Sequence, residues 1–434
     1  MKVNIRKLAL ELILEAEASG KYVNLLPRSP KCAGLSREEL SALTALLYTT
    51  VEKKFTYDYF IGTFSGRSLS DISERVKNVL RLGMCQIFDM RSIPDFAAVN
   101  ETVKLAQTPA ERGFINAVLR SAARSKDAPP YPDRDKKPLR YLAVKYSVPL
   151  SLVKLYHGIF GDETESLLAA FSSEPPLSLS VNVLKTKTEA VLDKLSSLGA
   201  KKARYTENGV SLNAKISPAD IPGFSNGELF VQDEASRIAV GALGIECSDT
   251  VIDVCAAPGG KSFLAAMAAK DGEVHSFELH ESKLSLIKDG ACRLGLDNVT
   301  VSARDAREPS PELIGLADKV ICDVPCSGLG VIWKKPDLRY KDLASAAELP
   351  SLQYEILSAS AKYLKKGGRL LYSTCTVLPE ENERVIDKFV LEHEDFEYED
   401  FEVGGLRSEG GKLTLLPHVH GTDGFFVSII RRKK

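Results

Sequence analysis

The sequence lacks several features that would assign it to a common class of protein. Its eight cysteines and six histidines contain no CxxC pair and no cysteine–histidine cluster at metal-ligand spacing, so neither a zinc site nor a thioredoxin-type site is supported. No apolar run reaches the roughly 18 residues of a membrane span. Acidic residues interrupt the apolar stretch near the amino terminus, which argues against a signal peptide. These absences predict a cytoplasmic protein with reduced thiols and with no metal and no membrane partner.

The sequence also has no excess of positive or negative charge. Lysine and arginine number 57 against 58 aspartate and glutamate residues, which gives a net charge of −1. The overall charge therefore neither requires nor excludes a polyanionic partner. Any surface for a nucleic acid must be local, and the basic stretches "DRDKKPLRYLAVK" and "WKKPDLRYK" are candidates.

The first part of the chain has the pattern of a helical domain. A chain of 434 residues is expected to hold several domains of roughly 100–200 residues each. Apolar residues recur at helical spacing before Gly20, and Ser36 with Glu39 has the spacing of a capping box. We predict an all-helical domain over residues 1–125. The proline-rich stretch "KDAPPYPDRDKKP" then predicts a linker over residues 126–138.

The rest of the chain alternates strands and helices. Residues 139–235 combine further helix with short strands, which predicts a small α/β module of the RRM-like kind. From about residue 236 to 434 strand and helix patterns repeat, beginning with "VIDVCA". Such alternation builds right-handed βαβ units and a parallel sheet covered on both faces. We therefore predict a multidomain protein with a Rossmann-like α/β domain at its carboxyl end, to which "GFFVSIIRR" adds an antiparallel edge strand.

A glycine-rich turn follows the first strand of that domain. In "DVCAAPGGKS", Gly259 and Gly260 permit close approach of a ligand to the backbone. The helix predicted after them offers free N–H groups for an anion. The turn is not GxGxxG, which counts against a nicotinamide-dependent enzyme.

Acidic residues follow the next three predicted strands. Glu278 lies 19 residues after Gly259, close to the roughly 20 residues at which a carboxylate reaches ribose hydroxyls. Asp305 and Asp323 follow the third and fourth strands. Each acid alone is often a helix cap or a loop carboxylate. Together, at the carboxyl edge of one sheet, they suit a ligand with a nucleoside, a carboxylate and a cationic centre, such as S-adenosyl-L-methionine.

Two cysteines also follow apolar strands. Cys375 comes after "RLLYST", and Cys326 comes after "VICDVP". A single cysteine at a strand tip is most often a packing residue. A second cysteine in the same kind of place makes packing alone a weaker explanation. Cys32, Cys85, Cys247, Cys292 and Cys322 have no such context, and we predict that they pack in cores.

Five motifs together resemble the RNA cytosine-C5 methyltransferases of the Nop2/Sun group. They are "FVQDEAS", "DVCAAPGGKS", "ICDVPCSGLGVIWKKPDLRY", "LLYSTCTVLPEENE" and "HGTDGFFV". The first 125 residues resemble a NusB-type helical domain through "RLGMCQIFDM", "VNETVKLAQ" and "FINAVLR". The resemblance covers essentially the whole chain. It implies an enzyme that uses S-adenosyl-L-methionine to methylate C5 of a cytosine in small-subunit (16S) rRNA.

The resemblance also implies roles for individual residues. The cofactor loop would be formed by Cys255, Ala256, Ala257, Pro258, Gly259, Gly260 and Lys261. Glu278 would bind the ribose, Asp305 would lie beside the adenine, and Asp323 would face both the methyl donor and the target base. Two positions depart from the usual family pattern. Glu278 stands where aspartate is more usual, and Lys283 stands where arginine is often found.

The chemistry of this family needs an activated thiol. C5 of cytosine is a poor nucleophile, but a thiolate added at C6 makes C5 enamine-like, so that C5 accepts a methyl group before the thiol is eliminated. This reasoning does not decide which of two cysteines attacks. The resemblance implies that Cys375 attacks and that Cys326 assists release, with Asp323 hydrogen-bonded to the base. The target cytosine must leave its stack to reach both thiols.

Other functions remain as alternatives at this point. The same chemistry could act on tRNA or on 23S rRNA, or an inert methyltransferase fold could serve as an RNA-binding assembly or antitermination factor. Both cysteine motifs and the glycine loop are intact, which argues against an inert fold. We expect a monomer with an rRNA partner.

Overall fold

Residue contacts divide the chain into two compact units. The computed structural model describes residues 3–20, 22–214, 216–341 and 343–434. The first unit comprises Met1–Ser173 together with Ile332–Lys341, and the second comprises Glu174–Val331 together with Asp342–Lys434. A short segment from the second half of the sequence therefore folds with the first unit.

The first unit is helical. Its described residues form the α-helices α1 (Ile5–Ser19), α2 (Arg37–Glu52), α3 (Lys54–Ser65), α4 (Glu74–Phe88), α5 (Asp95–Val103), α6 (Pro109–Arg124), α7 (Pro138–Lys145), α8 (Leu150–Phe160) and α9 (Thr164–Phe171). Helix α1 ends at Gly20, whose φ of 69° lies in the left-handed region. Helix α2 begins at a capping box in which Ser36 and Glu39 each accept a hydrogen bond from the other's backbone N–H. Both boundaries confirm the sequence predictions.

Helix α4 lies in the centre of the core of this unit. Val79, Leu82 and Met84 are fully buried. Gly83 allows α6 to pack closely, because a Cβ atom at this position would lie 2.6 Å from Leu119 Cδ2. The stretch "RLGMCQIFDM" therefore forms a core helix with no room for a larger side chain at its glycine.

The segment Ile332–Lys341 is held in the first unit by a buried guanidinium. Arg339 is 2% exposed, and it donates hydrogen bonds to the carbonyl oxygens of Glu52 and Tyr146, each over 3.4 Å. The neighbouring Tyr340 hydroxyl donates to the same Glu52 carbonyl over 2.8 Å. A buried charge is tolerated only when such partners surround it, so these bonds fix where the segment lies.

The second unit begins with a small antiparallel sheet. Its strands are β1 (Leu177–Val181), β2 (Lys201–Lys202), β3 (Gly209–Leu212) and β4 (Leu229–Val231), in the spatial order β2-β3-β1-β4. Helix α10 (Thr188–Lys194) follows β1. Leu179 and Val210 of the sheet pack with Val191 of the helix in one apolar cluster. The small module is therefore a sheet covered by a helix.

A mixed eight-stranded sheet forms the rest of this unit. The chain runs through α11 (Glu234–Leu243), β5 (Thr250–Asp253), α12 (Gly260–Ala268), β6 (Glu273–Glu278), α13 (Glu281–Leu294), β7 (Val299–Ala303), β8 (Ala317–Asp323), α14 (Leu349–Ser360), β9 (Leu364–Thr374), α15 (Glu383–Glu392), β10 (Phe396–Tyr398), β11 (Glu402–Val403), β12 (Leu406–Arg407), β13 (Lys412–Leu415), α16 (Pro417–His420) and β14 (Phe425–Arg432). The order is β10-β14-β9-β8-β5-β6-β7, with β13 also paired to β14, while β11 and β12 pair separately. The five strands β5 to β9 pair in parallel, as the alternation predicts.

Alternate residues of the strands pack on opposite faces of the large sheet. Val251 and Leu371 belong to the apolar cluster that includes residues of α11, α12 and α13. Their neighbours Ile252 and Leu370 belong to the cluster that includes residues of α14 and α15. Both faces are therefore covered, which explains why these strands are apolar throughout.

The last strand differs from its prediction in one respect. Strand β14 is antiparallel, as predicted, and it pairs with β9 on one side. On its other side it pairs with β10 and β13. It is therefore an internal strand and not an edge strand, because two short strands that precede it in the chain cover its other side.

We expect Arg339→Met to destabilise the first unit by about 2 kcal/mol, since the buried carbonyl groups of Tyr146 and Ile332 lose the hydrogen bonds that Arg339 donates. Urea unfolding followed by circular dichroism would measure the change. Lys341→Met in the same segment is the control, because Lys341 is exposed, and its effect should stay within about 0.5 kcal/mol. Equal losses for both variants would contradict the role given to Arg339.

Candidate active site

The two motif cysteines meet at the carboxyl edge of the large sheet. Strands β8 and β9 are parallel neighbours, with Asp323 paired to Ser373. The loops that follow these strands therefore begin side by side. Cys326 Sγ lies 3.1 Å from Cys375 Sγ, and both side chains are partly exposed. The structure thus brings together two thiols that are 49 positions apart in the chain.

Backbone contacts join the two cysteine loops. The Gly330 N–H donates to the Cys375 carbonyl over 3.0 Å, and the Gly424 N–H donates to the Gly330 carbonyl over 2.8 Å. A Cβ atom on Gly330 would lie 1.9 Å from the Gly424 oxygen. Only glycine fits at position 330, which explains the second glycine of the "SGLG" stretch after Cys326. The Gly330–Gly424 bond also links this loop to the "TDGFF" stretch.

The thiol of Cys326 has a pKa well above its ordinary value. The hydrogen bond to Cys375 is the largest cause, followed by burial and by the negative charges of Cys375 and Glu381. Cys326 therefore keeps its proton at neutral pH.

Asp323 lies in an ion pair beside the thiols. Lys261 Nζ is 2.7 Å from Asp323 Oδ2, and the Ser373 hydroxyl donates to Asp323 Oδ1 over 2.7 Å. Burial acts to lower the pKa of Lys261, but the Asp323 carboxylate outweighs it, and the pKa is raised. Lys261 therefore stays charged, and the negative charge of Cys375 also contributes to this.

The predicted cofactor loop joins β5 to α12. Gly259 has a φ of 114°, and a Cβ atom there would lie 2.4 Å from the Phe263 ring, so the turn requires glycine. The Ser262 hydroxyl donates to Asp253 Oδ2 over 2.6 Å. Burial raises the pKa of Asp253 to about 7. Burial likewise raises the pKa of the Cys255 thiol, and the charges of Cys322 and of nearby carboxylates add to it.

Glu278 ends strand β6, as predicted. It is 6% exposed, and its Oε1 accepts a hydrogen bond from the His280 N–H over 3.0 Å. Lys283 Nζ lies 3.4 Å from the same oxygen. The lysine that stands in place of arginine thus pairs with the glutamate that stands in place of aspartate.

Asp305 follows strand β7, next to the end of β6. Glu278 pairs with Ala303 in the parallel register, so both acids lie at the same edge of the sheet. The Asp305 side chain is bound by Arg307 Nη2 over 2.6 Å, and hydrogen bonds from Arg307 lower the pKa of this carboxyl. Its place beside an adenine stays a prediction.

Sequence reasoning missed four polar residues that contact this site. Ser373 binds Asp323, as described above. Gln353 is fully buried on α14, and Glu381 and Asn382 are each 1% exposed. The last two belong to the quoted motif "LLYSTCTVLPEENE", where they carried no assigned role. A glutamine on the apolar face of a helix was the available signal for Gln353.

The remaining cysteines divide into two groups. Cys32, Cys85 and Cys322 are buried, which confirms that they pack in cores. For Cys247 and Cys292 the prediction was wrong, because both are exposed. Cys247 Sγ lies 2.6 Å from Asp271 Oδ2 instead.

Among the described residues no group of side chains could hold a metal ion, and no helix is long and apolar enough to cross a membrane.

Three family models match successive parts of the chain. The NusB family matches residues 3–124, a ferredoxin-like domain of the RsmF/B methyltransferases matches residues 148–218, and the model described as 16S rRNA methyltransferase RsmB/F matches residues 240–431. The Rossmann-like sheet with this site defines a methyltransferase. The matches confirm the predicted NusB-like, small α/β and Rossmann-like parts.

Full-length relatives and solved structures agree with these matches. The probable ribosomal RNA small subunit methyltransferase B of Bacillus subtilis is 37% identical, covering 100% of this chain and 99% of the relative. The ribosomal RNA small subunit methyltransferase B of Escherichia coli O6:H1 is 31% identical, covering 99% of each. The chain therefore belongs to the 16S rRNA methyltransferase RsmB/F family.

Two solved structures have a similar fold. The crystal structure of PH0851 matches with a TM-score of 0.81 at 27% identity over 100% of both chains. The structure of a methyltransferase homolog from Pyrococcus horikoshii matches with a TM-score of 0.58 at 26% identity, covering 68% of this chain and 99% of that one.

We expect mild oxidation to join Cys326 and Cys375 in a disulfide, because their sulfur atoms are already in contact. With glutathione disulfide as oxidant, the two thiols lose their hydrogens and two glutathione molecules are released. Peptide mapping by mass spectrometry without reduction should find the Cys326–Cys375 cross-link, and a reductant should remove it. Cys326→Ser should abolish the cross-link, while Cys247→Ser, the control, should keep it. Failure to detect it in the unaltered protein would contradict the observed contact.

Proposed function

We propose that the protein transfers a methyl group from S-adenosyl-L-methionine to C5 of a cytosine in 16S rRNA, through a covalent bond between Cys375 and C6. The observation that carries the proposal is the contact of two thiols beside the Lys261–Asp323 ion pair. The names of the full-length relatives support the choice of small-subunit rRNA. In this proposal the enzyme acts in the cytoplasm as a monomer.

The residues at the sheet edge fit the proposed cofactor. The loop from Cys255 to Lys261 leaves no room for a side chain at Gly259 and includes the amino terminus of α12, which suits the carboxylate of the ligand. Glu278, next to Lys283, would bind the ribose hydroxyls, and Asp305 would lie beside the adenine. Asp253 Oδ1 is buried and has no hydrogen-bond partner among the described residues. Such carboxylates suit a ligand that carries positive charge, and when bound it supplies an electrophilic methyl group.

Addition to the base begins with Cys375. Its sulfur forms a bond to C6, and the electrons of the C5–C6 double bond move toward N3 and C5. Asp323, held by Ser373 and Lys261, would hydrogen-bond N3 or N4 and stabilise the charge that develops there. The charge of Lys261 favours the thiolate form of Cys375, because an ammonium nearby lowers the free energy of an anion.

Release depends on Cys326. After C5 has accepted the methyl group, the thiolate of Cys326 takes the C5 proton, the C5–C6 double bond re-forms, and the electrons of the S–C6 bond return to Cys375. Formation of the adduct removes the hydrogen bond to Cys375, which is the largest cause of the raised pKa of Cys326, and it also removes the negative charge of Cys375, whereas burial remains. Cys326 therefore loses its proton more readily after addition than before it. This order suits a residue that acts only in the second half of the reaction.

The RNA must present an unstacked cytosine to this edge. Both thiols lie at strand tips, so a base inside a duplex does not reach them, and a flipped or single-stranded base does. We assign RNA binding to the NusB-like helical domain, predicted over residues 1–125, and to the small α/β module within residues 139–235, with 126–138 as linker. The catalytic part is predicted over residues 236–434.

We expect Glu278→Ala to weaken binding of S-adenosyl-L-methionine by a factor of about ten to a hundred, since a hydrogen bond to a charged group is worth roughly 1.5–3 kcal/mol. Isothermal titration calorimetry would measure the dissociation constant. Glu281→Ala, which removes an exposed carboxylate three residues away, is the control and should bind normally. An unchanged constant for Glu278→Ala would show that this carboxylate does not bind the cofactor.

We expect the two cysteine variants to fail at different steps. Cys375→Ala should abolish both turnover and any covalent link to RNA, while still binding the cofactor. Cys326→Ala should accumulate a protein–RNA adduct that survives denaturing electrophoresis and contains a methylated base. The double variant should form no adduct.

Incubation with 16S rRNA and radiolabelled cofactor would test these expectations. Cys247→Ala is the control, because Cys247 lies outside the site. Adducts in Cys375→Ala and none in Cys326→Ala would reverse the two roles. No transfer to RNA by the unaltered protein would favour the non-catalytic RNA-binding alternative, and transfer to tRNA or 23S rRNA alone would change the substrate.

A further inference from the structure

Two consecutive polar residues are buried directly behind the cysteine loops. Glu381 and Asn382 are each 1% exposed, and they lie between Cys375 and helix α15. The backbone carbonyl of Glu381 accepts a hydrogen bond from the Tyr372 hydroxyl over 2.6 Å, which anchors the pair to strand β9. Burial of a carboxylate and an amide is costly unless hydrogen bonds compensate for it. The hydrogen-bond partners of these two side chains therefore indicate their role.

Glu381 contacts the backbone that surrounds Cys326. Its Oε2 accepts hydrogen bonds from the Ser327 N–H over 2.8 Å and from Gln353 Nε2 over 2.9 Å. Gln353 Nε2 also donates to the Pro325 carbonyl over 2.9 Å. The residues immediately before and after Cys326 are thus both fixed, one directly by Glu381 and the other through Gln353.

Asn382 contacts the residues that surround Cys375 in the same way. Its Oδ1 accepts a hydrogen bond from the Thr374 hydroxyl over 2.5 Å, and its Nδ2 donates to the Thr376 carbonyl over 3.1 Å. Thr374 and Thr376 are the two chain neighbours of Cys375. The dipeptide Glu381–Asn382 therefore holds both cysteine loops, with one side chain assigned to each.

We propose that Glu381 and Asn382 are positioning residues for the two thiols: Glu381 for Cys326 and the release step, Asn382 for Cys375 and the addition step. The assignment of steps rests on the proposed function, whereas the positioning itself does not. Because adjacent residues of one short segment hold both loops, this segment acts together with the β8–β9 pairing to set the distance between the sulfur atoms. Loss of either side chain frees one thiol and leaves the other in place.

The first test needs no RNA. The rate at which glutathione disulfide joins Cys326 to Cys375 reports how well the thiols are held together, because a fixed contact raises their effective concentration. In Glu381→Ala and in Asn382→Ala this rate should fall about tenfold, the effect of losing one charge-assisted or buried hydrogen bond. Glu380→Gln is the matched control, since Glu380 is the neighbouring residue and its side chain is partly exposed, and it should couple at the unaltered rate. Coupling at that rate in both alanine variants would overturn the positioning role.

The second test separates the two steps. In Glu381→Ala, the first methyl transfer to 16S rRNA should proceed at nearly the unaltered rate, later turnovers should slow about tenfold, and a methylated adduct should accumulate. In Asn382→Ala, the first transfer itself should slow about tenfold with no adduct. A merely structural role predicts equal losses in both variants. An equal loss in the first transfer of both variants, with no adduct in Glu381→Ala, would therefore overturn the assignment.

Two further variants keep the test decisive if Glu381→Ala does not fold. Gln353→Ala removes the bond to Pro325 and one bond to Glu381, so it should show the same accumulation of adduct. Glu381→Gln keeps an acceptor for the Ser327 N–H and should recover most of the coupling rate. Calorimetric binding of S-adenosyl-L-methionine should be unchanged in all of them, because no contact described here joins the dipeptide to the cofactor loop. Absence of adduct in Gln353→Ala, or no recovery in Glu381→Gln, would count against the proposal.

The two proposals fail in distinguishable ways. If the unaltered protein transfers no methyl group but Glu381→Ala and Asn382→Ala still couple slowly, the proposed function fails and the positioning role stands. If the unaltered protein methylates rRNA and Cys326→Ala accumulates adduct, while the alanine variants behave normally in both tests, the positioning role alone fails.

Discussion

The parallel pairing of β8 with β9 is the constraint on which the site depends. Parallel strands end at the same edge of a sheet, so two loops that are distant in sequence begin next to each other. The register pairs Asp323 with Ser373, which leaves Cys326 and Cys375 within reach of each other across the strand tips. A shift of the register by one residue would move every side chain of β9 to the opposite face and separate the two loops. The apolar residues on both faces of these strands therefore protect the geometry of the thiols as well as the core.

Much of this arrangement could be predicted from sequence, because strand ends and motif spacing are local signals. The alternation of strands and helices, the boundaries at Gly20 and Ser36, and the places of Asp323 and both cysteines at strand ends depend only on nearby residues. The order of strands does not. Nothing local in "GFFVSIIRR" indicates that it inserts beside β9. The exposure of Cys292 depends on which face of α13 the rest of the fold covers, and Cys247 lies in the turn before β5.

The buried polar residues around the thiols could not be found by periodicity. Glu381 and Asn382 lie in a loop, where charged and amide side chains are normally solvated. The Glu381 carboxylate is bound by Ser327 and Gln353, which are far away in sequence. Each has hydrogen-bond partners, and so does the Lys261–Asp323 pair. In a site of low dielectric constant, burying such a group without a partner costs free energy, whereas a paired group forms a strong and directional hydrogen bond. The precision of the two sulfur positions therefore comes from polar contacts, while the apolar clusters supply the stability of the sheet.

The segment Ile332–Lys341 has a consequence for the order in which the chain is built. Arg339 and Tyr340 of this segment complete the packing of the helical unit. All residues of the unit outside the segment precede position 174. During synthesis from the amino terminus, the helices emerge long before this last piece, and the whole small sheet and most of the parallel strands are made in between. The helical unit therefore reaches its final form only when the ribosome has passed the first cysteine motif. Its maturation is tied to the synthesis of half of the site.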